Sequence, residues 1–128
     1  KVNFCKGTRF KIETEKKKIP FVRLMGNIVL TYFSKINCRY ENLTDVVNGF
    51  IGIKVSLLRK LNFDKISKDF FFEEDLLFRI SLVEKEIYEL PIKTIYFSKS
   101  NLNPFKTIMP FMFKHAKNFL IRFKYDLL

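Results

Sequence analysis

The chain has 128 residues, 48% of them hydrophobic, and carries 24 Lys and Arg against 13 Asp and Glu for a net charge of +11. Four Gly and four Pro exclude a low-complexity linker, and the apolar content excludes a disordered basic tail, so the length suits one domain or part of one. Cys5 and Cys38 form no C-x-x-C pair, which excludes a cysteine metal site and a disulfide framework and leaves two free thiols in a reducing compartment.

The charge is uneven. Residues 1–61 carry 13 basic against 4 acidic side chains, residues 62–96 carry 5 against 8, and residues 97–128 carry 6 against 1. Basic surface attracts phosphate, whether in lipid head groups, nucleotide sugars or nucleic acid. The acidic stretch between the two basic regions would repel a nucleic-acid backbone and argues against a plain nucleic-acid-binding module. The chain opens on Lys1 with no Met and no signal peptide, and is expected to be a piece of something longer.

In chain order, residues 1–18 read as a polar, Lys-rich loop. It contains Lys6-Gly7-Thr8-Arg9-Phe10, where Gly permits close backbone approach and Arg can fork onto a phosphate with two parallel hydrogen bonds. A solvated basic turn would have the same sequence. Pro20 suits the first turn of a helix, and the dense apolar residues after it predict a helix over about 20–36. Arg23 and Asn27 interrupt this run, which is too short to be a clear membrane span. Arg23 either joins Arg9 on one anion or snorkels at the surface.

Asp45-Val46-Val47-Asn48-Gly49-Phe50 suits a tight turn entering a short buried strand over 47–54, with a short helix from Lys54 to Leu61. Phe72-Glu73-Glu74-Asp75-Leu76-Leu77 sets three adjacent carboxylates before the helical spacing of Leu76, Leu77, Ile80 and Val83. Such carboxylates complement the helix dipole, and their crowding raises one another's pKa, as a general base requires. Residues 86–97 are rich in β-formers, and Pro91 makes them an edge strand or two short strands.

Phe105 to Leu128 is expected to be an amphipathic helix. Phe105, Ile108, Met109, Met112, Phe113, Ala116, Phe119, Leu120, Phe123 and Leu127 fall on one face. Lys106, Lys114, His115, Lys117, Asn118, Arg122 and Lys124 fall on the other. Phe111, Ile121 and Leu128 break the pattern, and Pro110 bends or divides the helix. The pattern fits a membrane-interface helix or a surface helix packed on its own domain. His115 has no partner at ligand spacing, so no metal is expected there. No G-x-G-x-x-G, P-loop, H-E-x-x-H or G-x-S-x-G occurs.

Together and in this order, the motifs resemble those of family 2 glycosyltransferases of the dolichyl-phosphate mannose synthase and bacterial polyprenyl-phosphate glycosyltransferase type. The family pattern K-G-x-R-F, R-x-x-G-N, D-x-x-N-G-F, F-E-x-D-L-L and E-x-P-I is met by Lys6–Phe10, Arg23–Asn27, Asp45–Phe50, Phe72–Leu77 and Glu89–Ile92. Tyr96 and the Ser100–Phe105 turn resemble the family's exit into membrane-proximal helices. The resemblance implies an α/β fold. Residues 1–103 would be the acceptor-side, C-terminal half of a GT-A (Rossmann-like) domain, and residues 104–128 an amphipathic membrane-interface helix region. The donor-binding half, with its D-x-D motif holding Mg2+ or Mn2+ on a nucleotide sugar, is not in this sequence. The metal's ligands would therefore lie mainly upstream, and none is assigned here.

The implied activity is inverting sugar transfer from a nucleotide-sugar donor to a polyprenyl-phosphate acceptor, on the cytoplasmic face of an anionic membrane, in cell-envelope biosynthesis. This half alone would be inactive without its missing partner half. The resemblance assigns the acceptor phosphate to Arg9 and Arg23, with Lys6 and Lys99 assisting. It assigns nucleophile orientation or deprotonation to Asp75 with Glu74 and Glu73, and the floor of the sugar site to Asp45, Asn48 and Gly49. A phosphate acceptor is already anionic and needs positioning more than a base, whereas a sugar hydroxyl needs the base. Two alternatives stand beside this one. The first is the same family acting on a sugar hydroxyl in polysaccharide synthesis. The second is a non-catalytic basic module on a membrane or nucleic acid.

Overall fold

The computed structural model describes residues 2–95 and 103–128, the side chain of Pro104 excepted. The architecture is mixed α/β. A small sheet has β1 (Phe4–Thr8) at its centre, antiparallel to β2 (Ile51–Ile53) and parallel to β3 (Tyr88–Pro91). In register, Cys5 lies opposite Gly52 on one side and Tyr88 on the other. Gly7 is required by close approach: a Cβ there would sit 2.9 Å from Ile92 Cδ1 and 3.0 Å from the Phe50 Cβ. Pro91 is tolerated because β3 is an edge strand.

The expected loop over 1–18 is corrected. It contains the central strand and then α1 (Glu13–Lys17). Lys6 hides the strand from pattern reading, because a buried lysine occupies a position that alternation would assign to an apolar residue. The next helix, α2 (Phe21–Cys38), follows Pro20 as anticipated. It stops at Arg39, which takes the left-handed conformation with φ 61°. Then come α3 (Val55–Leu58), a 3-10 turn at Phe63–Lys65, and α4 (Phe72–Ser81). Finally α5 (Pro104–Leu127) begins at Asn103, whose side chain accepts from the Phe105 and Lys106 amides. This helix runs unbroken through Pro110.

An apolar core formed by Phe4, Tyr40, Leu43, Val46, Leu57, Leu77, Phe78 and Ile80 joins the sheet to α4. The long helices pack differently. The buried positions of α2 are Asn27, Thr31, Ser34, Asn37 and Cys38, while Phe21, Val22, Met25, Ile28, Val29 and Tyr32 are exposed. In α5, the expected solvent face is also corrected. His115, Asn118 and Arg122 are buried together with Phe111, the residue that seemed to break the pattern. Phe105, Met109, Phe113, Leu120, Phe123 and Leu127 face outward.

The physical reason is hydrogen bonding among the three helices. Asn37 Nδ2 donates to the His115 carbonyl at 3.0 Å, and Arg122 donates to the Asn37 carbonyl at 2.8 Å and the Ser81 hydroxyl at 2.6 Å. Asn118 donates to Asp75 at 3.2 Å. Buried polar groups are tolerated when satisfied, and here they satisfy one another. The apolar faces of α2 and α5 are left unpacked.

Candidate functional site

A cavity of about 880 Å³ opens between α2, α4, α5 and the segments on either side of them. Its lining is mostly apolar, with Ile19, Val22, Met25, Val29 and Leu30 from around α2 and Ile108 and Phe111 from α5. Into this lining come Arg9, Arg23, Lys93, Asn27, Asn48, Gly49, Glu73 and Glu74. Six of the ten residues expected at a site therefore converge on one cavity: Arg9, Arg23, Asn48, Gly49, Glu73 and Glu74. A mostly apolar pocket with a few convergent polar groups is the usual character of a ligand site.

Arg9 is fixed from the end of β1. Its Nε and Nη2 fork onto Asp45 at 2.9 Å each, and its amide donates to the same carboxylate at 3.0 Å. Asp45 is fully buried and also receives Asn27 Nδ2 at 2.7 Å. Burial alone would raise this carboxyl, but the hydrogen bonds from Arg9 and Asn27 outweigh it and hold the group below the usual carboxylate range. Asp45 thus supports the cavity from behind and does not line it. Asn27 is in turn held by Thr31, whose hydroxyl accepts from the Val46 amide at 3.2 Å. The R-x-x-G-N segment on α2 and the D-x-x-N-G-F turn are therefore one hydrogen-bonded unit.

Arg23 is half-buried, one turn N-terminal to Asn27 on α2. Among the described residues its side chain makes no hydrogen bond or ion pair. Gly26, between them, has nothing within 4 Å of where a Cβ would stand, so its open side faces cavity space.

Lys6 does not line the cavity. Its ammonium is buried and donates to the Asn48 carbonyl, bracing the turn. Burial pushes its pKa down to about 8, with Asp45, Glu89, Glu73 and Glu74 opposing the shift. Lys99 lies outside the described residues, as do Tyr96 and residues 100–102 of the turn.

The three carboxylates of α4 separate. Glu73 is half-buried in the cavity, with its Oε1 3.6 Å from where a Gly49 Cβ would stand. Glu74 also lines the cavity, and its Oε2 is 2.8 Å from His115 Nε2. Burial raises its pKa against the opposing pull of His115 and Lys6. Asp75 points elsewhere. It accepts from the Ser67 amide at 2.8 Å and from Asn118, beside a separate cleft of about 210 Å³. No cluster of three or more His, Cys, Asp or Glu residues placed to hold a metal occurs among the described residues. The α4 carboxylates diverge too far to form one.

Sequence reading missed His115, Asn37, Asn118, Arg122 and Glu89. Glu89 is buried and accepts from the Thr44 amide and hydroxyl at 2.7 Å each. The signal was available in α2, where Asn27, Thr31, Ser34 and Cys38 recur at spacings of four and three and mark a polar stripe. No helix among the described residues is long and apolar enough to cross a membrane. Comparison of the chain with protein-family models, with curated proteins and with solved structures found no match.

Proposed function

We propose that this chain is the acceptor-side half of an inverting family 2 glycosyltransferase of GT-A type, receiving a polyprenyl phosphate at a membrane surface. The observation that carries the reading is the lining of the cavity: Arg9, Arg23 and Lys93, two asparagines and the carboxylates of Glu73 and Glu74 are set into walls of Ile, Val, Leu, Met and Phe. That combination suits an amphiphile with a phosphate head and a hydrocarbon tail. Asp45 holds the Arg9 guanidinium rigid at the cavity wall, which fixes where its positive charge stands. Arg23 has no described partner to surrender. The outward apolar faces of α2 and α5 would meet the bilayer from which such a lipid is drawn.

Glu73, which has no hydrogen-bond partner among the described residues, is better placed than Asp75 to orient a nucleophile. Asp75 is committed to Ser67 and Asn118. The nucleotide-sugar donor and its divalent metal would be held by the donor-binding half.

The test is transfer of label from UDP- and GDP-sugars to polyprenyl phosphate by this chain joined to a donor-binding half, beside Arg23→Ala and Glu73→Gln. Transfer that falls at least tenfold in Arg23→Ala supports the phosphate-acceptor reading. Transfer only to a sugar hydroxyl, lost in Glu73→Gln, would replace it with the polysaccharide reading. Absence of any transfer would leave a binding module.

A further inference from the structure

Glu74 and His115 form a buried pair at the junction of α4 and α5, each side chain only 4% exposed. The pair belongs to the cavity wall, because Glu74 lines it. On the far side of the ring, Asn37 Nδ2 lies 3.3 Å from His115 Nδ1 and 3.0 Å from the His115 carbonyl. A carbonyl oxygen can only accept, so the Asn37 atom facing it must be the NH2 group. That same NH2 faces Nδ1, which must then also accept and carries no proton. The imidazole is therefore neutral, with its single proton on Nε2, and it donates to Glu74 Oε2. Phe33 and Phe71 pack around the ring with centroids 5.9 and 5.1 Å away, fixing its plane.

We infer that His115 is a positioning residue for Glu74: it anchors Oε2 as a neutral donor, leaves Oε1 to take up a proton, and so makes binding of an anionic head group in the cavity proton-linked. The chemistry follows from the surroundings of Glu74. Its carboxylate touches His115 from α5, feels the charges of Lys6 from β1 and Glu73 on its own helix, and shares the cavity wall with Arg9, Arg23 and Lys93. Lys6 is already committed to Asn48. A phosphate entering beside Arg9 and Arg23 adds negative charge near Glu74 and disfavours its ionised form. The group whose burial already favours the neutral state is then the one that protonates. The inference rests on the cavity being an anion site, as proposed above.

Two measurements test it on the full chain in detergent micelles. The first is the tautomer, read from long-range proton–nitrogen correlation on 15N-histidine-labelled protein, which contains one histidine. A protonated Nε2 and a bare Nδ1 at neutral pH are expected. A proton on Nδ1, or on both nitrogens, would overturn the positioning role whether or not any ligand binds.

The second is calorimetric titration with farnesyl phosphate in buffers of different ionisation enthalpy, which counts protons taken up on binding. Wild type should take up about one proton more than Glu74→Gln under the same conditions, which removes the ligand's own titration from the comparison. His115→Gln, whose amide supplies the same donor, should keep the wild-type uptake. His115→Leu should reduce it, because an unanchored Glu74 is already more protonated at rest. Equal uptake in wild type and Glu74→Gln would overturn the linkage. Failure of farnesyl phosphate to bind at all would overturn the acceptor reading and the linkage with it, and the tautomer would stand or fall separately.

Discussion

At the residue scale, three positions make separable predictions. Ser34 Oγ is buried and has no hydrogen-bond partner among the described residues. Ser34→Ala removes that orphan and improves helix propensity, so it should stabilise the chain by about 1 kcal/mol in chemical denaturation. Asp45 carries the opposite expectation. Asp45→Asn leaves Arg9 without its counter-charge and should cost about 3 kcal/mol. The sign with pH follows from the lowered pKa of Asp45. An unfolded chain binds more protons than the folded one between the two pKa values, so the contribution is complete above the ordinary value of 3.8 and is lost as pH falls through the folded value. Glu74 acts in the reverse sense, its raised pKa making it a contribution that is lost as pH rises. The acid limb of the stability profile should therefore flatten in Asp45→Asn and not in Glu74→Gln. Gly26 offers a clean probe of the cavity. Gly26→Leu meets nothing at its Cβ, should raise helix stability by roughly 0.5–1 kcal/mol, and should still weaken lipid binding by filling the space.

At the element scale, α5 is the most exposed to test. Pro110 denies the helix one interior hydrogen bond, yet the helix is continuous. Pro110→Ala should stabilise it by up to about 3 kcal/mol, seen as a higher thermal midpoint, unless a bend at this site is needed to seat His115 and Arg122. The elements themselves were legible in the sequence to different degrees. α4 and α5 came from 3.6-residue periodicity, α2 from Pro20 and the dense apolar run after it, and the edge character of β3 from Pro91. β1 was not legible, because its burial of Lys6 depends on Asn48, more than forty residues away. The inward direction of α5 was also hidden. Periodicity divides a helix into two faces, but which face is buried depends on partners contributed by α2 and α4. The site was half legible on the same grounds. Motif order brought Arg9, Arg23, Asn48, Gly49, Glu73 and Glu74 together. The resemblance named Asp75 as the principal carboxylate, with Glu73 and Glu74 beside it, but successive helical residues point about a third of a turn apart and only the two glutamates line the cavity.

At the scale of the whole molecule, the arrangement of polar interior and apolar exterior in α2 and α5 governs behaviour in solution. Phe21, Val22, Met25, Val29, Phe105, Met109, Phe113, Leu120 and Phe123 are all exposed. Exposed apolar surface of this extent seeks a bilayer, a detergent or another copy. The chain should self-associate in plain buffer in sedimentation and become monodisperse on adding a mild detergent. Phe113→Lys with Leu120→Lys should cut association with anionic vesicles at least tenfold while leaving the thermal midpoint within a few degrees, since neither side chain packs in the core. A loss of vesicle binding accompanied by unfolding would show that these faces are internal after all.

On the proposed reading the cavity takes a lipid through its phosphate. The most direct measurement compares binding of farnesyl phosphate and farnesol to the chain in detergent micelles, with Arg23→Ala beside wild type. Arg23 is the better choice for substitution because removing Arg9 would strip the buried Asp45 of its counter-charge. Farnesyl phosphate should bind at least tenfold more tightly than farnesol, and Arg23→Ala should abolish most of the difference. Equal binding of the two ligands, unchanged by Arg23→Ala, would contradict it.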